Sequence, residues 1–152
     1  MTIVGAISLV VGCAAAVEDL ARRRISNWTS GAALVSGFLV HASRAGWRGA
    51  ASAGTGALVG FVLFLIFYLL NGMGAGDLKL MAGFGSLLGP SVILYAAWIA
   101  AVAGGMMGLA YAAALAWRAR SRVSRGRLAP AEMIPYAPAI VAGAWLAEFA
   151  LG

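Results

Sequence analysis

The chain has 152 residues, of which 62% are hydrophobic and 11% charged, with a formal net charge of +6. Soluble domains contain roughly 45–50% apolar and about 25% charged residues, so this composition excludes an ordinary soluble domain and predicts an integral membrane protein. The single cysteine, Cys13, excludes an internal disulfide, and basic residues confined to short connections argue against nucleic-acid binding.

Six apolar runs follow one another along the chain. They are Ile3–Val17, Trp28–Ser43, Arg48–Leu70, Leu78–Gly89, Ser91–Trp117 and Ile134–Leu151. A spanning helix needs about 20 residues, so the first helix must continue into its polar flank, which places Asp19 in its last turn. Gly89-Pro90 is the expected turn between the fourth and fifth runs, since proline suits the first turn of a helix. The sequence therefore predicts an all-α fold, a polytopic transmembrane helical bundle with about six spans that forms one membrane-embedded domain over residues 1–152.

The distribution of basic residues predicts the orientation of this bundle. With the N-terminus outside, six spans place nine Lys and Arg residues on the inner side and only Arg44 and Arg48 on the outer side. That asymmetry follows the positive-inside rule, and it puts Asp19 and Asp77 near the cytoplasmic face. No basic residue precedes the first run, so we expect it to be the first span and not a cleaved signal peptide.

Asp19 and Asp77 are the candidates for chemistry in a chain with only five acidic residues. Ionisable groups at membrane depth are functional candidates by default. Two neighbouring carboxylates can act as an aspartyl protease pair, one as base toward water and the other as proton donor to the substrate carbonyl. The spans between them return the chain to the same face, so the two acids can meet. The glycines Gly72, Gly74 and Gly76 would leave a slot for an extended substrate beside Asp77.

Both acids also have a purely structural interpretation. Asp77 could be the N-cap residue of a helix. Asp19 could pair with one of the arginines 22–24, and Arg23 at i+4 is well placed for that. Glu18 projects about 100° away from Asp19 on a helix, so we expect it at the surface or in contact with substrate. The residues alone leave these alternatives open.

Three segments resemble the motifs of type IV prepilin peptidases. They are Asp19-Leu-Ala-Arg-Arg-Arg-Ile-Ser-Asn27, Gly74-Ala-Gly-Asp-Leu-Lys-Leu80 and Pro135-Tyr-Ala-Pro-Ala-Ile140. The first resembles an Asp, basic residues and Ile-Pro-Asn, the second a Gly-x-Gly-Asp signature followed by Lys-Leu, and the third a Pro-Tyr-x-Pro-Ala-Ile segment that opens the last span. The resemblance implies that Asp19 and Asp77 are the catalytic pair. Ser26 stands where the family usually has proline, and we expect Asn27 to cap the second span.

The resemblance also implies the reaction and its partners. The chain would be a membrane aspartyl endopeptidase in the bacterial inner membrane, with a periplasmic N-terminus. It would remove the basic leader peptide from type IV, Flp-like prepilins, which carry an apolar helix, at the cytoplasmic face, without a metal or an organic cofactor. Larger relatives carry a four-cysteine insertion, linked to N-methylation, between the first two spans. Only about ten polar or interfacial residues lie there in this chain, so it resembles the short, peptidase-only form.

Further residues are expected to shape the site. They are Gly74, Gly76, Asn27, Lys79, Pro135 and Pro138. Lys79 would tune the acids electrostatically or extend to the membrane interface, whereas His41 is expected on the outer side, away from the acids. Two other functions remain open: another intramembrane Gly-x-Gly-Asp protease, of the presenilin or signal-peptide-peptidase type, and a non-enzymatic proton-coupled transporter.

Overall fold

Helices account for nearly all of the described chain. The computed structural model describes residues 2–22, 24–70, 73–121 and 137–151. The helices are α1 (Ile3–Arg22), α2 (Asn27–Leu69), α3 (Ala75–Ser121) and α4 (Ala137–Leu151). No strand occurs within those ranges, so the predicted all-α class is confirmed. Because α1 extends to Arg22, Asp19 lies in its last turn, as predicted.

The element α2 reverses direction near its middle. Ala45 and Gly46 leave the helical conformation, and Gly46 adopts φ 55°, a left-handed conformation that glycine accepts without strain. A Cβ atom on Gly49 would collide with the carbonyl oxygen of His41. These two residues would be about 12 Å apart along a straight helix, so the two halves of α2 lie side by side. The gap between the second and third apolar runs predicts this turn.

The element α3 reverses in the same way at Gly89, where φ is 78°. A Cβ atom on Gly60 would lie 2.5 Å from the carbonyl oxygen of Met81 and 3.3 Å from Cγ1 of Ile93. Those two atoms are therefore close neighbours, although a straight helix would separate the residues by about 18 Å. The turn predicted at Gly89-Pro90 is confirmed.

Three described helical segments are long and apolar enough to cross a membrane, judged by length and composition. They are Ile3–Arg22, Asn27–Leu69 and Ala75–Ala110. The apolar helix α4 has 15 residues and is about 22 Å long. Large apolar side chains cover much of the surface, and Trp28 and Trp47 are 88% and 84% exposed, which is typical of a surface that contacts lipid. The count of about six spans stays a prediction.

Small residues bring α2 and α3 into close contact. A Cβ atom on Gly37 would collide with Ser86, and one on Gly56 would collide with the carbonyl oxygen of Gly85. The buried hydroxyl of Ser86 donates a hydrogen bond to the carbonyl oxygen of Leu34 at 3.0 Å. Lipid supplies no hydrophobic force between helices, so close approach and interhelical hydrogen bonds hold them together. This packing fixes where the start of α3 lies relative to the start of α2.

We expect Gly56→Ala to lower the thermal unfolding midpoint in detergent, because its methyl group would displace the Gly85 carbonyl and overpacking costs about 1–3 kcal/mol. The matched control is Gly31→Ala on the same element, where a Cβ atom would meet no atom of the described residues within 4 Å. Replacing an unconstrained helical glycine stabilises by roughly 0.5–1 kcal/mol, so the control should hold or raise the midpoint. Identical midpoints for the two variants would contradict the close packing.

Candidate active site

Asp19 and Asp77 lie together in the protein interior. Their side chains are 6% and 8% exposed, and their carboxylates are close enough for a direct Coulomb interaction. Asp19 belongs to the last turn of α1 and Asp77 to the first turn of α3. The fold therefore brings the two acids near each other, and their role as a catalytic pair stays a prediction.

Asp77 is held by the start of its own helix. Its Oδ2 atom accepts a hydrogen bond from the backbone N–H of Gly74 at 3.2 Å, and the Gly74 carbonyl accepts one from the N–H of Leu78 at 3.4 Å. Gly74 is thus the N-cap and Asp77 the third helical residue, which reaches back as in a capping box. The interpretation of Asp77 as the N-cap residue is wrong for this reason. Its other oxygen, Oδ1, is buried and accepts no hydrogen bond from the described residues.

Asp19 is held by the start of α4. Its Oδ2 atom accepts a hydrogen bond from the N–H of Ala137, the first residue of α4, at 3.1 Å. Helix N-termini leave such N–H groups without an intrahelical partner, so this bond gives the first N–H group of α4 an acceptor and fixes one oxygen of Asp19. Pro138 follows in the first turn of α4 and is half-buried. Pro135 and Arg23, the expected ion-pair partner of Asp19, lie outside the described residues.

Lys79 and Asn27 join the starts of α3 and α2. The Nζ atom of Lys79 donates a hydrogen bond to Oδ1 of Asn27 at 3.0 Å. The expectation that Asn27 caps α2 is wrong. Ser26 is the N-cap, with φ −66° and ψ 140°, and its Oγ atom accepts from the N–H of Trp28 at 3.2 Å. Asn27 already lies inside the helix, so its amide is directed across to α3 instead.

Gly76 packs against the connection between α1 and α2. A Cβ atom on it would lie 3.2 Å from Cβ of Ile25 and 3.5 Å from its backbone nitrogen. A Cβ atom on Gly74 would meet no atom closer than Oδ2 of Asp77 at 3.5 Å. Among the described residues, Gly74 therefore has room for a Cβ atom next to the acid, while Gly76 is a contact point. Gly72 lies outside the described residues.

Glu18 has a role that the sequence did not reveal. It is half-buried, and its Oε2 atom accepts hydrogen bonds from the N–H of Ser26 at 2.8 Å and from Oγ1 of Thr29 at 2.9 Å. These contacts cross from one helix to the next, so no helical periodicity predicts them. The only signal was a carboxylate just before a short connection that is followed by polar residues.

His41 lies away from the two acids. The Nε2 atom of His41 is 2.9 Å from the carbonyl oxygen of Leu87, about 15 Å along α3 from Asp77, so His41 is remote from the acids as expected. Among the described residues, no group of three or more His, Cys, Asp or Glu side chains could hold a metal ion. The arginines 122, 125 and 127 lie outside the described residues.

Comparison with protein families places the chain among known proteins. The model of the type IV leader peptidase family matches residues 6–109, a stretch that contains Asp19 and Asp77 but not the segment Pro135–Ile140. No solved structure matches the chain.

Curated relatives match a similar share of the chain. The prepilin leader peptidase/N-methyltransferase of Bacillus subtilis (strain 168) is 34% identical over 94 residues, which is 60% of this chain and 34% of that protein. Proteins of the same name from Burkholderia pseudomallei (strains 1026b and K96243) are 35% identical over 95 residues, which is 58% of this chain and 27% of those proteins. The matched region thus spans about a third or less of these relatives. Because the family model covers more than half of the chain, the chain belongs to the type IV leader peptidase family.

Proposed function

We propose that this chain is a membrane aspartyl endopeptidase that removes the basic leader peptide from type IV, Flp-like prepilins at the cytoplasmic face of the bacterial inner membrane. The observation that carries the proposal is the pair of buried aspartates, each with Oδ2 held by a backbone N–H at the start of a helix. Catalytic groups need such fixed supports. Membership of a leader peptidase family argues against the presenilin-type protease and the proton-coupled transporter.

Asp19 and Asp77 would act as a coupled acid–base pair. One carboxylate takes a proton from water as the water oxygen attacks the scissile carbonyl carbon, and the other, protonated, donates its proton to the carbonyl oxygen. The tetrahedral intermediate then collapses and its C–N bond breaks. The carboxyl that took the water proton donates it to the departing amine nitrogen, and a hydroxyl proton of the intermediate returns to the other carboxylate. The protonation state belongs to the pair and not to either residue. Because the two carboxylates supply both proton transfers, the reaction needs no metal or organic cofactor.

The proposed substrate is a prepilin with a basic leader followed by an apolar helix. The named relatives are prepilin leader peptidases, and the substrate strand would pass Gly74, where the described residues leave room for a Cβ atom beside Asp77. Only residues 23–26 connect α1 to α2, so no additional domain is inserted there. This short connection supports a peptidase-only form, without the N-methyltransferase activity that the relatives' names include.

The proposed topology has six spans and a periplasmic N-terminus. The reversals at Gly46 and Gly89 divide α2 and α3 into two segments each, which together with α1 and α4 make six helical segments among the described residues. Alternating crossings would bring the end of α1 and the start of α3 to the same face. Asp19 and Asp77 then lie near the cytoplasmic interface, within reach of a leader peptide.

Cysteine labelling tests this topology. In a Cys13→Ser background, Arg44→Cys and Ser91→Cys should react with a membrane-impermeant maleimide in cells whose outer membrane has been permeabilised and whose inner membrane is intact. Arg24→Cys, which is also exposed, should react only after the inner membrane is lysed, and the parent without cysteine is the control. Labelling of Arg24→Cys from outside would refute the orientation, and protection of Ser91→Cys before and after lysis would refute the reversal of α3 at an interface.

Substitution of either aspartate tests the catalytic pair. We expect Asp19→Asn and Asp77→Asn each to lower prepilin cleavage by at least about a hundredfold, because acid–base catalysis is lost. An Asn side chain keeps an oxygen that can accept the N–H of Ala137 or Gly74, so both variants should accumulate in the membrane. The measurement is the ratio of processed to unprocessed pilin at equal enzyme level.

The control for both variants is Glu148→Gln, the same acid-to-amide change at a carboxylate that accepts a hydrogen bond from Ser8 at 2.6 Å. Glu148 lies at the other end of α4 from Ala137, and this variant should cleave normally. Normal cleavage by a stable Asp19→Asn or Asp77→Asn protein would overturn the mechanism.

A larger side chain at Gly74 tests the substrate slot. Gly74→Leu should raise KM for prepilin with little change in the thermal unfolding midpoint, because its side chain would occupy space beside Asp77. Gly76→Leu should lower the unfolding midpoint, because it would push against Ile25 and overpacking costs about 1–3 kcal/mol. Wild-type KM in the Gly74→Leu protein would show that no substrate passes there.

A further inference from the structure

We propose that Glu18 is a positioning residue for the aspartate pair, which acts by holding the connection between α1 and α2 in place. The inference rests on the proposed function, because it assigns Glu18 a role in the cleavage carried out by Asp19 and Asp77. Glu18 acts through the backbone around these acids and does not itself react.

The Glu18 side chain fastens the end of α1 to the start of α2. A single atom, Oε2, accepts both the hydrogen bond from the N–H of Ser26 at 2.8 Å and the one from Oγ1 of Thr29 at 2.9 Å. Ser26 is the N-cap of α2 and Thr29 lies in its first turn. Hydrogen bonds to charged groups are stronger than those between neutral groups. The connection is therefore fixed at its C-terminal end by the residue that precedes Asp19.

The connection in turn supports the backbone that carries Asp77. Ile25 precedes Ser26 and packs against the backbone of Gly76. A Cβ atom added to Gly76 would be 3.2 Å from Cβ of Ile25. Gly76 is followed directly by Asp77. Glu18 thus contacts Ser26, and Ile25, which precedes Ser26, contacts Gly76, the residue before Asp77. Glu18 also directly precedes Asp19 in the sequence. A shift of the connection would change the spacing of the two carboxylates.

The backbone conformation of Ser26 shows that Glu18 holds the connection through the Ser26 N–H group. Its φ of −66° and ψ of 140° are values that a proline adopts without strain, so the conformation alone does not require serine. Proline at this position would keep the backbone angle but remove the donor that Glu18 accepts from. The bond to Glu18, and not an intrinsic turn preference, is therefore the feature that ties this residue to α1.

The rival role for Glu18 is electrostatic attraction of a basic leader peptide. The two roles need different properties of the side chain: attraction needs the negative charge, whereas positioning needs only one acceptor oxygen. Glu18→Gln removes the charge and keeps a carbonyl oxygen that can accept both hydrogen bonds. Glu18→Ala removes both properties.

The experiment measures kcat and KM of purified enzyme on a prepilin peptide, together with the unfolding midpoint. Misplacement of catalytic groups by about 1 Å can cost 10²-fold, so Glu18→Ala should lower kcat by between about 10-fold and 100-fold with KM nearly unchanged. Glu18→Gln should restore most of kcat. The double variant Ser26→Pro/Thr29→Val, which removes both donors and keeps Glu18, should match Glu18→Ala. Adding Glu18→Ala to it should cause no further loss.

Two comparisons control for the side effects of these changes. Thr55→Val removes a hydroxyl whose hydrogen bonds within the described residues go to carbonyl oxygens of its own helix, at 3.0 Å, and should leave kcat unchanged. Ser26→Ala removes the cap hydroxyl but keeps the N–H, so it should lower kcat less than Ser26→Pro does.

Each remaining outcome decides between the two roles. Wild-type kcat in Glu18→Ala, or a loss in Glu18→Gln equal to that in Glu18→Ala, would overturn positioning, and a rise in KM alone would point to leader attraction. If Glu18→Ala does not accumulate, the double variant tests the same role, since wild-type kcat there would also overturn it. Asp77→Asn is measured alongside: if it cleaves normally, the proposed function fails, whereas an inactive Asp77→Asn beside a normal Glu18→Ala refutes only the role of Glu18.

Discussion

Two buried carboxylates in a lipid-covered helical protein must obtain their hydrogen-bond donors from the protein itself, because a buried polar group without a partner is costly and lipid offers none. Here the donors are backbone N–H groups at the starts of helices, Gly74 for Asp77 and Ala137 for Asp19. Such N–H groups have no intrahelical partner. Each bond therefore pairs one N–H group at a helix start and fixes one carboxylate oxygen, so the acids and the helix starts stabilise each other.

The position of these helix starts depends on close backbone packing elsewhere. Contacts of Gly37 with Ser86 and of Gly56 with Gly85 set the register between α2 and α3. The reversals at Gly46 and Gly89 let each long element pack in two directions within a short chain. A larger residue at these contacts would separate the elements. The glycines at these contacts are thus needed for Asp77, at the start of α3, to lie beside the connection between α1 and α2.

The sequence predicts those features that depend on local chemistry or on membrane periodicity. Apolar runs predict the helices, Gly89-Pro90 predicts a turn, and two rare acids at the ends of runs predict the site. The partners of Asn27 and Glu18 were not predictable, since both contacts cross between helices. Which side chains meet there depends on the register that distant glycine contacts impose, and no local pattern contains that information.

Stability and site geometry therefore depend on different parts of the molecule. The elements α2 and α3 pack along their lengths, through contacts such as those of Gly37 with Ser86 and of Gly56 with Gly85. The spacing of the acids depends instead on a few hydrogen bonds at one end, where Glu18 holds a four-residue connection. Loss of one such bond removes little of the total packing, but it frees the segment against which Gly76 rests. Changes at this end should consequently affect the rate of the reaction more than the stability of the fold.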